Sequence, residues 1–247
     1  MRSSTWHALG NVYLLVERSE ATPALDSESV RALVGDADGI VEVTRKVQND
    51  AHVVIWNRDG STAEFSGNAV RIAARWLANS AGSDEVRIHV GPRTAAARML
   101  PNGLVETEMG RVEVGEPELV AGIRLTRVSV GNPHAVVLGD PSEISRLGPL
   151  LETHPRFPRR TNVQVARVER PGSVTARVWE RGVGETSSSG TSAVAVAAAT
   201  HGAGEVTVHF PGGDLFVQLR DDHASLTGPV EKLSTSLRKG SDPGTNV

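Results

Sequence analysis

Apolar and polar positions alternate, or β-branched residues run together, over residues 12–16, 41–47, 53–56, 86–90, 104–109, 125–130, 135–138, 163–168, 174–179, 206–210 and 215–219. Each stretch predicts a strand, and Gly, Pro, Asn or Asp punctuates most of the gaps. Two stretches carry a helical pattern instead. Val70, Ala73, Ala74 and Leu77 fall at i, i+3, i+4 and i+7, which predicts a helix over 68–77. Residues 192–199 are apolar all round, which predicts a helix buried on every side. A shorter helix is expected over 27–34. The pattern thus reads as many strands wrapped around one central helix, twice.

The chain also says nearly the same thing twice. Asn57-Arg-Asp-Gly stands nine residues before Ser66-Gly-Asn-Ala, and Glu180-Arg-Gly-Val stands nine before Ser189-Gly-Thr-Ser, each leading into an apolar helix. A Gly-Asn pair followed by a β-rich stretch lies upstream in each half, at Gly10-Asn11 and Gly131-Asn132. A repeat of this length means two similar structural units. The expected fold class is α/β (α+β), with two pseudo-symmetric domains, each a β-barrel-like sheet around a central helix. The division is expected near Gly115-Glu-Pro117, giving domains 1–116 and 117–235. Residues 236–247 are polar and Gly-rich and are expected to be a disordered tail. No low-complexity linker separates the halves, so they should pack tightly and leave a cleft.

Ser66-Gly67-Asn68 and Ser189-Gly190-Thr191 sit where the two helices begin. A helix N-terminus offers unpaired N–H groups and a partial positive charge, and a glycine there lets a ligand approach the backbone. Two such termini facing one cleft would hold a carboxylate and stabilise the enolate-like charge formed when a proton leaves the adjacent carbon. Serine before a helix is also among the commonest N-caps. The duplicated context tips the reading toward a functional cleft in which the serines act, or serve only as caps.

Composition narrows the chemistry. The chain has 247 residues, a net charge of −3 and no cysteine, which removes disulfides, thiolate catalysis and thiolate metal sites. No long basic run is present, so a nucleic-acid partner is not expected. No apolar stretch approaches the ~20 residues of a membrane helix, and the N-terminus lacks a signal-peptide core. A cytoplasmic protein is expected. The eight histidines show no metal-ligand spacing, so no metal is expected. Gly182-Val-Gly184 is too short for a dinucleotide motif, no Walker motif occurs, and neither serine has the G-x-S-x-G context of an esterase.

At these residues the sequence resembles the diaminopimelate epimerase family, isomerases that work without pyridoxal phosphate. The resemblance runs through His7-Ala-Leu-Gly-Asn11, Asn57-Arg-Asp-Gly-Ser61 with Ser66-Gly-Asn68, and Val128-Ser-Val-Gly-Asn-Pro-His134. It continues through Thr161-Asn162-Val163, Glu180-Arg-Gly-Val-Gly-Glu-Thr186 with Ser189-Gly-Thr191, and Leu226-Thr-Gly-Pro229. It implies the two-barrel fold and a cofactor-independent proton transfer at an α-carbon, with no cofactor required. Members often form dimers, which makes a homodimer one expectation. Members use one cysteine to remove the proton from one face and a second to return it on the other. Those cysteines fall at Ser66 and Ser189 here. A thiol titrates near ~8.5, whereas a serine hydroxyl needs a base to activate it.

Three explanations follow from that departure. The chain is a natural paralogue with different or easier chemistry, such as a tautomerisation or double-bond shift; or an epimerase whose two cysteines have been changed; or a pseudoenzyme that binds an amino acid. The first ranks highest, because Phe65, Ala69 and Ser192 also depart from the family pattern and the chain is shorter between Leu119 and Val128. Titratable candidates within the motifs are His134, Glu180, Glu185 and Glu64. The catalytic set is then Ser66, Ser189, His134, Glu180 and Glu185. The resemblance implies substrate binding by Asn11, Asn57, Asn132, Asn162 and Arg181, together with Gly67, Asn68, Gly190 and Thr191. An Arg fork suits a carboxylate and Asn suits an amine or carboxylate, so an amino-acid-like ligand is expected. Singly, each Asn is as readily a turn residue. His134 is read as functional over a packed strand-entry residue, and Glu185 as equally a partner of the Ser189 loop.

Overall fold

A computed structural model describes residues 2–18 and 23–237. Residues 238–247, most of the expected tail, lie outside the described residues, whereas 236 and 237 belong to the last strand. The first half contains β1 (Arg2–Ala8), β2 (Asn11–Glu17), α1 (Ser27–Leu33), β3 (Gly39–Val47), β4 (Asp50–Asn57), α2 (Gly67–Ala81), β5 (Glu85–Val90), β6 (Arg93–Met99) and β7 (Leu104–Arg111). The second contains β8 (Glu113–Val120), β9 (Ile123–Ser129), β10 (Pro133–Leu138), α3 (Ile144–Glu152), β11 (Asn162–Arg170), β12 (Ser173–Glu180), β13 (Gly184–Thr186) and α4 (Gly190–His201). It continues with β14 (Gly204–Phe210), β15 (Gly213–Arg220) and β16 (His223–Pro229), and β17 (Glu231–Leu237) ends the described chain.

The strand pairings show the internal symmetry directly. In the first half α1 carries the crossover between parallel β2 and β3, and α2 the crossover between parallel β4 and β5. In the second half α3 does the same for β10 and β11, and α4 for β12 and β14. Antiparallel β7 and β16 join the two sheets, with Thr107 opposite Leu226. β8 pairs with β9 and β9 with β10, while β17 pairs with β1 and β1 with β2. The last strand therefore crosses back to complete the first half, in the position β8 holds in the second. Residues 231–235 pair with the first half rather than with 117–230.

Each central helix is held inside its own curved sheet. α2 packs against β1, β2, β4, β5, β6 and β7, and α4 against β9, β10, β11, β12, β14, β15 and β16. Every residue of α4 from Gly190 to Ala198 is buried, as the unbroken Ala/Val run from Ala193 onward requires. Burial of apolar surface at roughly 25 cal/mol per Å2 is the main force holding this arrangement. Among the described residues no helix is long and apolar enough to cross a membrane.

Candidate active site

The sheets aim the two central helices at each other. α2 and α4 meet at their first residues: a Cβ placed on Gly67 would lie 2.9 Å from the Gly190 Cα, and one on Gly190 would lie 2.9 Å from the Gly67 Cα. Only glycine allows that approach. The first N–H groups to bond back along the helices are those of Val70, to the Ser66 carbonyl, and Ala193, to the Ser189 carbonyl. Of the N–H groups before them, that of Ala69 is taken by the Ser66 side chain, and the first N–H groups of each helix carry the positive ends of both helix dipoles to the junction. Such a junction suits an anion.

Ser66 and Ser189 are the N-cap residues of α2 and α4, in nearly the same extended conformation (φ −138° and −149°). Their side chains differ in employment. Ser66 Oγ accepts from the Ala69 N–H at 3.3 Å, a true cap. Ser189 makes no cap hydrogen bond, and its hydroxyl instead stands beside the Glu180 carboxylate and favours its ionised form. Glu180 Oε1 also accepts from Thr186 Oγ1 at 2.7 Å. Burial pushes the Glu180 carboxyl above the usual carboxylate range, against the Thr186 and Ser189 hydrogen bonds, and the charge of Asp38 adds to the rise. Glu180 is thus a carboxylate made more basic than usual, beside one of the two serines.

The other serine faces Tyr13, whose Oη lies 3.5 Å from Ser66 Oγ. Burial holds the Tyr13 phenol above its ordinary value and the neighbouring Glu180 charge acts in the same direction. Tyr13 lies two positions after Asn11 on β2. The period of 2 puts both on one face of the strand, a signal that sequence inspection could have used.

Behind the helix junction lies a polar relay. Asn68 Nδ2 donates to Asn11 Oδ1 at 2.5 Å and to Ser188 Oγ at 3.4 Å. Asn68 Oδ1 accepts from Arg71 Nη2 at 2.7 Å. Arg71 is fully buried, its Nη1 donates to the Gly67 carbonyl at 3.3 Å, and its Nε has no partner. Among the described residues no carboxylate pairs with it, and burial pulls its guanidinium down to about 9. A Cβ on Gly190 would stand 3.3 Å from Arg71 Nη1, so this cation sits directly beneath the junction. Arg71 falls four residues after Gly67, a charged residue on the otherwise apolar inner face of α2. The Gly10 turn docks on the same cluster: Ser188 Oγ donates to the Leu9 carbonyl at 2.7 Å. Gly10 has φ +88° and room for no side chain, because a Cβ there would strike Ser187 Oγ at 2.0 Å.

The second half supplies the cleft wall. Asn132 Nδ2 donates to Thr191 Oγ1 at 3.3 Å, and Asn132 Oδ1 accepts from His134 Nε2 at 2.8 Å. The opposite ring nitrogen, Nδ1, accepts from Gln164 Nε2 at 3.0 Å, and the same Gln164 nitrogen donates to Ser192 Oγ at 2.9 Å. His134 is buried, and burial pushes its imidazole down to about 3, against the Gln164 hydrogen bond and with the Arg181 charge. It is a neutral ring with both nitrogens engaged. That corrects its reading as an acid or base: its geometry orients Asn132 and, through Gln164, the start of α4.

Asn162 Nδ2 donates to the Pro133 carbonyl at 2.9 Å and its Oδ1 accepts from the Arg181 N–H at 3.0 Å. Arg181 reaches the Arg159 carbonyl and, at 3.4 Å across the cleft, Glu64 of the first half. Glu152 of α3 fixes this loop, accepting from the Gly182 N–H at 2.6 Å and from Trp179 Nε1 at 2.8 Å. A cavity of about 550 Å3 is lined by Glu64, Ser129, Asn132, His134, Thr161 and Arg181. A larger groove of about 890 Å3 runs over β7, β15 and β16 and contains none of these residues.

Two further expectations change on sight of the geometry. Glu185 pairs with Arg177 at 2.5 Å on the β12–β13 ribbon and is exposed, with no hydrogen bond to the Ser189 loop. Asn57 closes a turn, its Nδ2 donating to Ser61 Oγ at 2.9 Å and its N–H to the Ser61 carbonyl at 2.8 Å. Turn chemistry employs its side chain in this structure.

Comparison with known proteins places the chain and its fold. The family model described as diaminopimelate epimerase matches residues 4–120 and 126–233. The chain is 37% identical to the diaminopimelate epimerase of Pelotomaculum thermopropionicum, over 92% of this chain and 95% of that one. Among solved structures, a predicted epimerase from Pseudomonas aeruginosa superposes with a TM-score of 0.75 at 18% identity, covering 97% of this chain and 99% of that one. A hydroxyproline epimerase from Agrobacterium vitis, with trans-4-hydroxy-L-proline bound, superposes with a TM-score of 0.70 at 15% identity, covering 98% and 92%. At such identities these two structures bear on the fold alone.

Proposed function

The chain belongs to the diaminopimelate epimerase family, pyridoxal-independent isomerases, and from that premise we propose that it moves a proton at the carbon beside the carboxylate of an amino-acid-derived substrate. The observation that carries this reading is the meeting of two helix N-termini at Gly67 and Gly190 with a serine at the cap of each. The substrate carboxylate lies on the free N–H groups of that junction. Charge arriving there as the C–H bond breaks is met by two helix dipoles and the buried Arg71 cation. Ser66 and Ser189 stand on the two faces of the reacting carbon.

A serine hydroxyl is not itself a base at neutral pH. On the Ser189 face the base is Glu180, which receives the proton through Ser189 Oγ and whose raised pKa brings it nearer the working pH. Asn132, Asn162 and Arg181 hold the far end of the substrate, and the Arg181 fork selects a second carboxylate. Diaminopimelate, named by the relatives, has that second carboxylate and is the first substrate to try.

The Ser66 cap hydrogen bond favours one second reading, a protein that binds an amino acid without turning it over. Proton NMR in D2O separates the two. The chain is incubated with diaminopimelate stereoisomers, then with other amino acids and unsaturated analogues, beside the double variant Ser66→Cys/Ser189→Cys. Loss of an α-proton signal with the serines in place supports the isomerase. Exchange of diaminopimelate only by the double variant means an epimerase framework that has been disarmed. Saturable binding without exchange by either protein establishes the binder.

A further inference from the structure

We propose that Tyr13 is the proton donor of the Ser66 face, acting through Ser66 Oγ, so that Tyr13 and Glu180 form an acid–base pair serving the two faces. The proposal rests on the isomerase reading above and adds to it the group that reading lacks. Among the described residues Tyr13 is the titratable side chain that touches Ser66, with its Oη 3.5 Å from Ser66 Oγ. The phenol is buried, sits on β2 beside Asn11, and packs its ring over Gly39, where a Cβ would come within 2.8 Å of it. It therefore has one fixed orientation, with its hydroxyl aimed at the cap of α2.

The charge pattern fits the role. Glu180 stands beside Ser189 and lies close enough to Tyr13 for its charge to oppose ionisation of the phenol. Burial keeps Tyr13 protonated, and the charge of ionised Glu180 adds to that. The resting form has a base on one face and an acid on the other, as inversion requires. In the forward direction the α-C–H bond breaks and its proton passes through Ser189 to Glu180. A new C–H bond forms on the opposite face with the Ser66 proton, which Tyr13 replaces. The enzyme is left with Glu180 protonated and Tyr13 ionised. That form converts the opposite stereoisomer by the reverse transfers, and exchange with water interconverts the two forms. No proton is created or lost, and no co-reactant is needed.

The test uses Tyr13→Phe, which keeps the packed ring and removes the hydroxyl, with the amino acid that the wild-type chain exchanges. Inversion is expected to fall by about 10²-fold or more. In D2O the variant should still exchange the α-proton of the stereoisomer whose C–H faces Ser189, with retention of configuration, and should lose exchange from the other stereoisomer. Equal rates of inversion in Tyr13→Phe and wild type overturn the proposal. So does equal loss of exchange from both stereoisomers in a folded variant.

A second measurement needs no substrate. The chain has no cysteine, so the thiol introduced by Ser66→Cys can be titrated alone by thiolate absorbance. Adding Tyr13→Phe should raise that thiol's pKa and slow its alkylation at neutral pH, because a donor to the thiolate is lost. The thiol introduced by Ser189→Cys should not respond. An unchanged titration at position 66 removes Tyr13 from the Ser66 face. If wild type exchanges no amino acid while this titration does respond, the isomerase reading fails and the contact stands.

Discussion

Glu180 shows at the scale of one side chain how function and stability pull apart. Its folded-state pKa is raised, so ionising it is harder in the folded chain than in the unfolded one. The sign is therefore unfavourable to folding as pH rises through the raised value. Glu180→Gln should be more stable than wild type at pH 7 in thermal melts, and the gain should vanish below the ordinary carboxylate pKa of about 4.3. The same substitution should abolish exchange from the Ser189 face, and in wild type the acid limb of the kcat/KM profile should lie above the usual carboxylate range. His134 has the opposite character. Its imidazole is driven from 6.5 down to about 3, so the unfolded chain binds a proton that the folded chain refuses. Stability should fall as pH is lowered through 6.5 toward 3, and His134→Gln should flatten that part of an acid-unfolding series. Arg71 is a buried cation, and among the described residues no carboxylate pairs with it. Arg71→Met should leave the melting temperature nearly unchanged, since removing an uncompensated charge offsets the Asn68 hydrogen bond it forfeits. Its binding of carboxylate ligands should weaken about tenfold, as one charge-assisted contribution of roughly 1.4 kcal/mol at the junction is lost, which isothermal calorimetry would read.

The helices show at the scale of elements why two glycines matter more than the serines for the shape of the site. A Cβ on Gly67 would lie 2.9 Å from Gly190 Cα and 3.2 Å from Leu226 Cδ2. Gly67→Ala should therefore cost about 1–3 kcal/mol in denaturant unfolding, the usual range for overpacking, and should weaken anion binding by spreading the helix ends. Elements with strong apolar periodicity were legible in the sequence. The 68–77 pattern lies inside α2, the all-apolar 192–199 run lies inside α4, and 27–34 coincides with α1 to within a residue. What escaped has physical reasons. α3 carries Gly148-Pro149, which reads as a break, yet Gly148 is what lets the Trp179 ring lie against the helix, since a Cβ would come within 2.6 Å of it. β6 buries Ala95 and Ala97, residues with little intrinsic preference for strands. β8 is mostly exposed and contains Pro117, and β17 is polar at five of its seven positions, so neither shows a strong apolar pattern. In the site, the duplicated Ser-Gly motifs pointed to the helix junction. Tyr13, Gln164 and Glu152 did not announce themselves, because each acts through a partner far away in sequence, and Arg71, whose partners are three and four residues away, reads in the sequence as an ordinary charged helix position.

At the scale of the whole molecule, the cleft is a property of two halves stitched together. β7 and β16 join the sheets, β17 crosses back to the first half, and Glu64 reaches Arg181 over the opening. That ion pair is partly exposed and is worth about 0–1 kcal/mol, weak enough for a ligand carboxylate to displace it. Glu64→Gln should lower KM modestly, by up to about fivefold by that energy, for substrates with a second carboxylate. It should leave KM unchanged for those without one. The central claim is that a proton leaves one face of a carbon and returns to the other, with the serines in place. The most direct measurement starts from one pure stereoisomer of the exchanging amino acid in D2O and follows the wild-type reaction by NMR and chiral chromatography. Two-sided transfer requires that the product stereoisomer carry deuterium at the α-carbon while unreacted substrate still carries protium early in the reaction. Substrate that gains deuterium as fast as product forms, or product that keeps the original proton, would contradict it.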